Sequence, residues 1–406
     1  MTAHTDGGEL TASIPKYTAE DEVELNRIEA KKDNYIFLGW YSDAEFQTKI
    51  ETIPAGTTYN VEIYAKYDRC TDGLVFTLRE DNSGYVVSAG STGLGEADVV
   101  IPAQYNGLPV LSVGSFANRS EIRSLSVPEG VTEILAGAFL NCTGLQTFEV
   151  PGNVVFIGEG AFSGCSGLQT LSIPFVGQTE QDVLPFGTIF GGDAYSGGTR
   201  TEQSYSNDSG NYNKVYYIPD ALKNVTIGCG EISDGAFRNC AAIETITLND
   251  GIVFVGAEAF RNAAMLESVV MRGVTHVGDY AFAGCVSMRE YAAGQNLIEL
   301  GEGAFEGCVA LGSVDLGTVQ VLGVRTFAGC SALKTVVVPA TVTELPLGVF
   351  PGLEEVVLEA ALIVSDGAFE NAGGLIIRVD ALDVWCSMQF ANAQCNPLSA
   401  GATLLI

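Results

Sequence analysis

Histidine is nearly absent: the 406-residue chain holds two, His4 and His276. No Ser-His-Asp or Cys-His constellation can be assembled around so few, which argues against most nucleophilic hydrolases. His4 lies in a start expected to be frayed, and His276 reads as a solvated surface side chain. Basic residues are also scarce. Lys and Arg total 20 against 49 Asp and Glu, a formal net charge of -29. Such a surface repels nucleic acid and anionic lipid, so neither is an expected partner. No apolar run approaches the roughly 18 residues of a membrane-spanning helix, so direct membrane insertion is not expected. The start, Met1-Thr2-Ala3-His4-Thr5-Asp6-Gly7-Gly8, has neither the basic nor the apolar region of a signal peptide. No C-x-x-C pair occurs among the ten Cys, which leaves a zinc ribbon unsupported. There is no P-loop or EF-hand loop, and Gly93-Leu94-Gly95 lacks the rest of a dinucleotide fingerprint. The expected cofactors and metals are therefore none, and no catalytic residue can be named.

What is present in abundance is repetition. Phe recurs at Phe116, Phe139, Phe162, Phe237, Phe260, Phe282, Phe305, Phe327, Phe350 and Phe369, mostly 22 or 23 residues apart. Seven of these ten follow Ala, as in Gly137-Ala138-Phe139 and Gly303-Ala304-Phe305. An apolar triplet spaced L-x-x-L-x-L comes next: Leu145, Phe148, Val150; Leu168, Leu171, Ile173; Ile243, Ile246, Leu248; Leu333, Val336, Val338. Pro often closes it, at Pro102, Pro128, Pro151, Pro174 and Pro339, and a second apolar pair such as Val154 and Ile157 leads back to the next Phe.

One turn of this length cannot bury its own apolar side, so turns must stack and bury it against one another. The triplet alternates like a strand with one buried face. Repeated once per turn, it predicts a parallel sheet with about 4.8 Å between neighbours. The Phe side chains should form an internal ladder. Gly before Ala-Phe suits a corner where backbones approach closely. Pro ends strand pairing because it has no N–H to donate.

The phase breaks once, between Phe162 and Phe237. Val183-Leu184-Pro185-Phe186-Gly187-Thr188-Ile189-Phe190 is expected to hold a distorted turn. Residues 191–214, rich in Gly, Ser, Tyr, Asn and Asp, read as a surface loop. That reading predicts that deleting residues 196–212 leaves the fold intact. Phase resumes at Leu222, Val225 and Ile227.

Six Cys stand three residues after a repeat Phe: Cys142, Cys165, Cys240, Cys285, Cys308 and Cys330. Ala takes that place at Ala263 and Ala372. Exchange with Ala argues for a small buried side chain rather than a chemical role. Cys386 with Cys395, and Cys229 with Cys240, are near enough in sequence to pair, and sequence alone leaves both open.

These turns resemble the BspA-like class of bacterial leucine-rich repeats. The carriers are Ile-Pro or Val-Pro after the strand, then Ile-Gly, then Ala-Phe-x-x-Cys. The first turn adds Val100-Ile101-Pro102-Ala103-Gln104-Tyr105-Asn106-Gly107-Leu108-Pro109-Val110. The N-terminal stretches Tyr35-Ile36-Phe37-Leu38-Gly39-Trp40-Tyr41 and Val61-Glu62-Ile63-Tyr64-Ala65-Lys66-Tyr67 resemble the internalin B-type, or Listeria–Bacteroides, repeat, a small β-grasp-like unit. The resemblances imply a mainly β chain with short helical or irregular turns. A β-grasp-like module is expected over 1–68, a hairpin cap over 69–98, a leucine-rich-repeat solenoid over 99–380 with its insertion near 191–214, and a C-terminal turn or cap over 381–406. They also imply export to the cell surface or exterior, with a signal and an anchor expected outside this chain.

The residues flanking the middle apolar position of each triplet should point outward. The candidate binding face is Thr147, Glu149, Thr170, Ser172, Thr245, Thr247, Ser268, Val270, Glu290, Ser313 and Asp315, since solenoids commonly bind along such a broad face. The functional expectation is a non-catalytic extracellular binding module whose partner is a protein or glycan, with adhesion to host proteins, matrix or other cells implied by the resemblance. The alternatives are a structural spacer or the accessory region of an exported hydrolase.

Overall fold

A computed structural model describes residues 1–207, 210–292, 294–369 and 373–406. Ala372, one of the two Ala that replace Cys in the repeat, lies outside the described residues, as do 208 and 209 in the insertion.

The N-terminal segment builds its own core. A four-stranded sheet runs in the order Thr2–His4, Glu62–Arg69, Tyr35–Tyr41, Lys49–Ile50. Trp40, 2% exposed, packs with Val23, Leu25, Ile53 and Ile63. Its indole Nε1–H donates to the Ile28 carbonyl at 2.6 Å, so this aromatic belongs to the core rather than to a ligand cleft. The start is not frayed: Thr2–His4 pairs in parallel with Glu62–Arg69, and His4 stacks on Tyr64 at 4.4 Å. An edge strand held by hydrogen bonds and a ring contact stays ordered.

From Leu74 onward the chain winds into coils that share one continuous core. Most coils carry a front strand and a shorter back strand. The front set begins Asp98–Val100, Ser124–Ser126, Thr147–Glu149, Thr170–Ile173, Asn224–Ile227, Thr245–Leu248 and Ser268–Met271, and ends with Thr403–Leu405. Its paired strands are parallel and in register, so side chains of like phase form columns along the stack. The middle apolar residue of each triplet points inward, as at Phe148, Leu171, Ile246 and Val336, all buried. Back strands such as Glu133–Ile134 and Phe156–Ile157 pair in the same manner. The hairpin Leu74–Leu78 and Tyr85–Ala89 joins the open end of the back sheet by pairing in parallel with Leu108–Val113.

The Phe corners form a third column. Phe139 N–H donates to the Ala161 carbonyl of the next coil, and Phe282 N–H to that of Ala304, both at 2.7 Å. Between adjacent coils the ring centroids stand 5.1 to 5.9 Å apart from Phe116 to Phe162 and from Phe237 to Phe350. Phe369 differs in being only partly buried against the same core.

The glycine before Ala-Phe meets the close approach expected of it at Gly235, where a Cβ would fall 2.6 Å from the Ser204 carbonyl oxygen, but not at Gly137. Gly137 has φ of 62°, and a side chain there would meet nothing within 4 Å. Its requirement is the left-handed backbone, which Glu258, Tyr280 and Arg325 adopt in other coils. At this corner close approach belongs instead to the glycine of the Ile-Gly pair: a Cβ on Gly158 would fall 2.2 Å from the Ala136 nitrogen.

The insertion is not a loop. Gly198–Asn207 and Gly210–Pro219 form an antiparallel hairpin in unbroken register from Gly198↔Pro219 to Asn207↔Gly210. Thr201, Gln203, Tyr216 and Ile218 alternate along the two strands and are buried against the coils. Composition pointed to a loop because Ser, Asn and Gly dominate the segment, whereas alternation governs where half its side chains go. The preceding stretch forms a short 3-10 helix, Phe186–Ile189, with all four residues buried. Phe190 lies 6.3 Å from Phe162, Phe186 lies 5.2 Å from Phe190, and Phe186 lies 4.5 Å from Phe237, so aromatic contact continues across the interruption.

Candidate functional site

The site begins with strand alternation. Every second residue of a front strand faces away from the core, and the parallel register aligns these residues into two columns. Thr147 pairs with Thr170, Thr170 with Asn224, Asn224 with Thr245, and Thr245 with Ser268. Beside them run Glu149, Ser172, Thr226, Thr247 and Val270. Further along, Glu290 pairs with Ser313 in a separate two-stranded ladder, with Asp315 opposite Ala292. The predicted face residues thus fall into two groups. Thr147, Glu149, Thr170, Val270, Glu290, Ser313 and Asp315 are exposed, while Ser172, Thr245, Thr247 and Ser268 are half-buried between neighbours.

Sequence reading missed Asn224 and Thr226, which fill the gap left by the insertion and make the row from Thr147 to Ser268 continuous. The signal existed: Leu222, Val225 and Ile227 repeat the triplet spacing that sets the outward positions. It also missed Asp98 and Val100, the outward pair of the first front strand, which pair with Ser124 and Ser126. Asp98 accepts a hydrogen bond from the Ser124 hydroxyl at 2.7 Å.

At this end the face deepens into a groove of about 520 Å³, with Ser124, Ser126, Thr147, Thr170 and Ser172 in its lining. Asp98, Glu129, Glu149 and Arg69 add charge. Arg69 comes from the last strand of the N-terminal sheet, so the groove is composite. Its position is held by a dense junction. Asn34 O accepts from Cys70 N–H at 2.8 Å, Asp68 Oδ2 accepts from Ala103 N–H at 2.8 Å, and Thr71 N–H donates to Val100 O at 3.0 Å. Arg69 itself is ion-paired to Glu96 at 3.0 Å.

The thiols are arranged for structure. Sγ of Cys142, Cys165, Cys285, Cys308 and Cys330 each donates to the carbonyl of the repeat Phe one coil back, at 3.1 to 3.3 Å. Burial pushes the Cys142 thiol up to about 11 and those of Cys285 and Cys330 up to about 12, away from the thiolate a nucleophile needs. All ten Cys are free, so neither the Cys386–Cys395 nor the Cys229–Cys240 pair is formed. Cys240 instead lies 3.3 Å from the Gln203 amide nitrogen. His276 is half-exposed, 3.9 Å from Glu299 on the back sheet and 2.8 Å from the Thr275 hydroxyl. Among the described residues, no group of three or more His, Cys, Asp and Glu could hold a metal ion. No described helix is long and apolar enough to cross a membrane.

Stacked coils of this repeat, with parallel front strands and one uncovered polar face, define a leucine-rich-repeat solenoid. The chain belongs to the BspA-type leucine-rich-repeat family: the BspA type Leucine rich repeat region matches in six copies over residues 101–181 and 230–357. The Listeria-Bacteroides repeat domain matches residues 2–66. No curated protein matches the chain. Among solved structures, it is similar to a leucine-rich repeat protein from Bacteroides ovatus at 21% identity, covering 82% of this chain and 76% of that one, with a TM-score of 0.42. A leucine rich cell surface protein from Faecalibacterium prausnitzii is 20% identical over 83% of this chain and 97% of that one, with a TM-score of 0.31. An internalin from Listeria monocytogenes is 11% identical over 80% and 86%, with a TM-score of 0.30.

Proposed function

We propose that this chain is a non-catalytic extracellular binding module of a bacterial surface or secreted protein, and that it engages a protein or glycan through the outward columns of its front sheet. The observation that carries the reading is the continuous row from Thr147 to Ser268, in register and exposed or half-exposed along its length. Hydroxyls at one-strand spacing offer donors and acceptors to an extended ligand at no cost to the core. The two repeat families support a surface location. Residues 1–68 act as a separate β-grasp-like module, 69–98 as the cap, 99–380 as the solenoid and 381–406 as its C-terminal closure.

The test is a binding screen against extracellular matrix proteins, mucins and glycans, with the native chain and with Thr170→Arg/Thr245→Arg, which blocks the row without touching the core. Specific, saturable binding lost in the variant supports the reading. Binding untouched by the variant removes the front sheet from it. A panel with no hit favours the spacer, a role that the unbroken aromatic column and the hydrogen-bonded junction at Cys70 also suit.

A further inference from the structure

We infer that the composite groove at the N-terminal end of the front sheet receives a basic, extended segment of a partner polypeptide. The inference rests on the binding-face reading above and names the partner's chemistry. Length argues for a short extended chain: four front strands, from Asp98–Val100 to Thr170–Ile173, line the groove. Three inter-strand steps span roughly 15 Å, the reach of about five extended residues. The floor suits a peptide backbone, because Ser124, Ser126, Thr147, Thr170 and Ser172 can each donate or accept.

Charge selects the side chains. Asp98, Glu129 and Glu149 line the groove, and among the described residues none of the three lies in an ion pair. The single lining cation, Arg69, is neutralised by Glu96, whose other oxygen accepts from the Thr71 hydroxyl at 2.6 Å. Arg123, which precedes the second strand, does not line the groove. The field of a chain carrying -29 reinforces this local imbalance and would draw a cationic segment in. The far end of the row of front strands differs. There Glu355 contacts the Arg378 guanidinium on the adjacent strand, so its charge is already met.

The experiment uses the whole chain and three labelled hexapeptides, alternating Lys-Ser, Gln-Ser and Glu-Ser, read by fluorescence anisotropy at low and high salt. The Lys-Ser peptide should bind saturably, weaken with salt, and exceed both controls. Asp98→Asn/Glu129→Gln/Glu149→Gln should lower its affinity roughly tenfold, as three exposed charges warrant. Asp193→Asn/Glu231→Gln, exposed acids outside both the groove and the front columns, should leave it unchanged, and Arg69→Ala, which releases Glu96, should strengthen it. Equal losses in the two acid variants would overturn the groove in favour of diffuse attraction. Failure of the Lys-Ser peptide to exceed its controls would overturn the basic-peptide assignment while leaving the row-blocking test of the face untouched. Preferential, variant-sensitive binding of a neutral N-acetylglucosamine hexamer would replace the peptide with a glycan.

Discussion

The regular coils and the interruption between Phe162 and Phe237 solve one problem in two ways. In the coils, each Phe packs on its counterpart one turn away, and a thiol donor at Cys285 or Cys308 closes the corner. In the interruption, Phe186 of the 3-10 helix and Phe190 just after it bridge the column, and a buried amide adds to the repeated backbone contact, which Phe186 N–H still makes to the Ala236 carbonyl at 3.0 Å. Gln203, fully buried, accepts from Gly187 N–H at 2.8 Å and donates to the Ala236 carbonyl at 3.0 Å. The difference teaches that a solenoid tolerates a non-repeating segment when that segment satisfies the backbone groups its neighbours expose.

Deleting residues 196–212 should break this equivalence most severely. The sequence reading expects an intact fold. The structure instead predicts loss of cooperative unfolding in thermal melts, because the deletion removes Gln203 and one strand of the hairpin. A variant that melts like the native chain would make the hairpin a mere attachment. Next in size, Phe282→Ala should cost about 3–5 kcal/mol through cavity formation in mid-column, measured by denaturant unfolding. Phe186→Ala should match it if the interruption is packed as tightly as the coils. Gln203→Ala should cost about 2–3 kcal/mol, since it leaves Gly187 N–H and the Ala236 carbonyl without their side-chain partner.

The thiols give a pH test of the regular coils. Cys142, Cys285 and Cys330 rise from an ordinary 9.0 to about 11, about 12 and about 12, because burial disfavours the thiolate. Unfolded, these groups lose protons near 9.0; folded, they keep them. Their contribution is therefore complete below pH 9.0 and is lost as pH rises through the folded values. At pH 10 the loss should be on the order of 1 kcal/mol per thiol. Melting temperatures followed from pH 8 to pH 10 should fall less in Cys285→Ala than in the native chain. The smallest effect concerns Tyr291, 5% exposed at an inward triplet position. Among the described residues nothing hydrogen-bonds its hydroxyl, so Tyr291→Phe should stabilise by about 1 kcal/mol, seen as a higher denaturation midpoint.

Periodicity made the coils legible. Phe, the L-x-x-L-x-L triplet and the six spaced Cys carry their meaning locally, because a repeated turn can bury its apolar side only against its neighbours. The outward row followed from alternation within those same triplets. The interruption was illegible for the opposite reason: Gln203 and Tyr216 are ordinary polar and aromatic residues in a Ser- and Asn-rich stretch, and nothing near them in sequence marks them as buried.

The sequence by itself therefore determined the coil, its stacking, its buried column and the residues that face outward, all consequences of spacing and hydrophobic burial. Only the tertiary structure decided that the insertion is a packed hairpin, with Gln203 and Tyr216 buried against the coils. It alone placed Arg69 beside Asp98 in one groove. These contacts join residues far apart in the chain and outside the repeat, where no local period constrains them and three-dimensional closure alone brings them together.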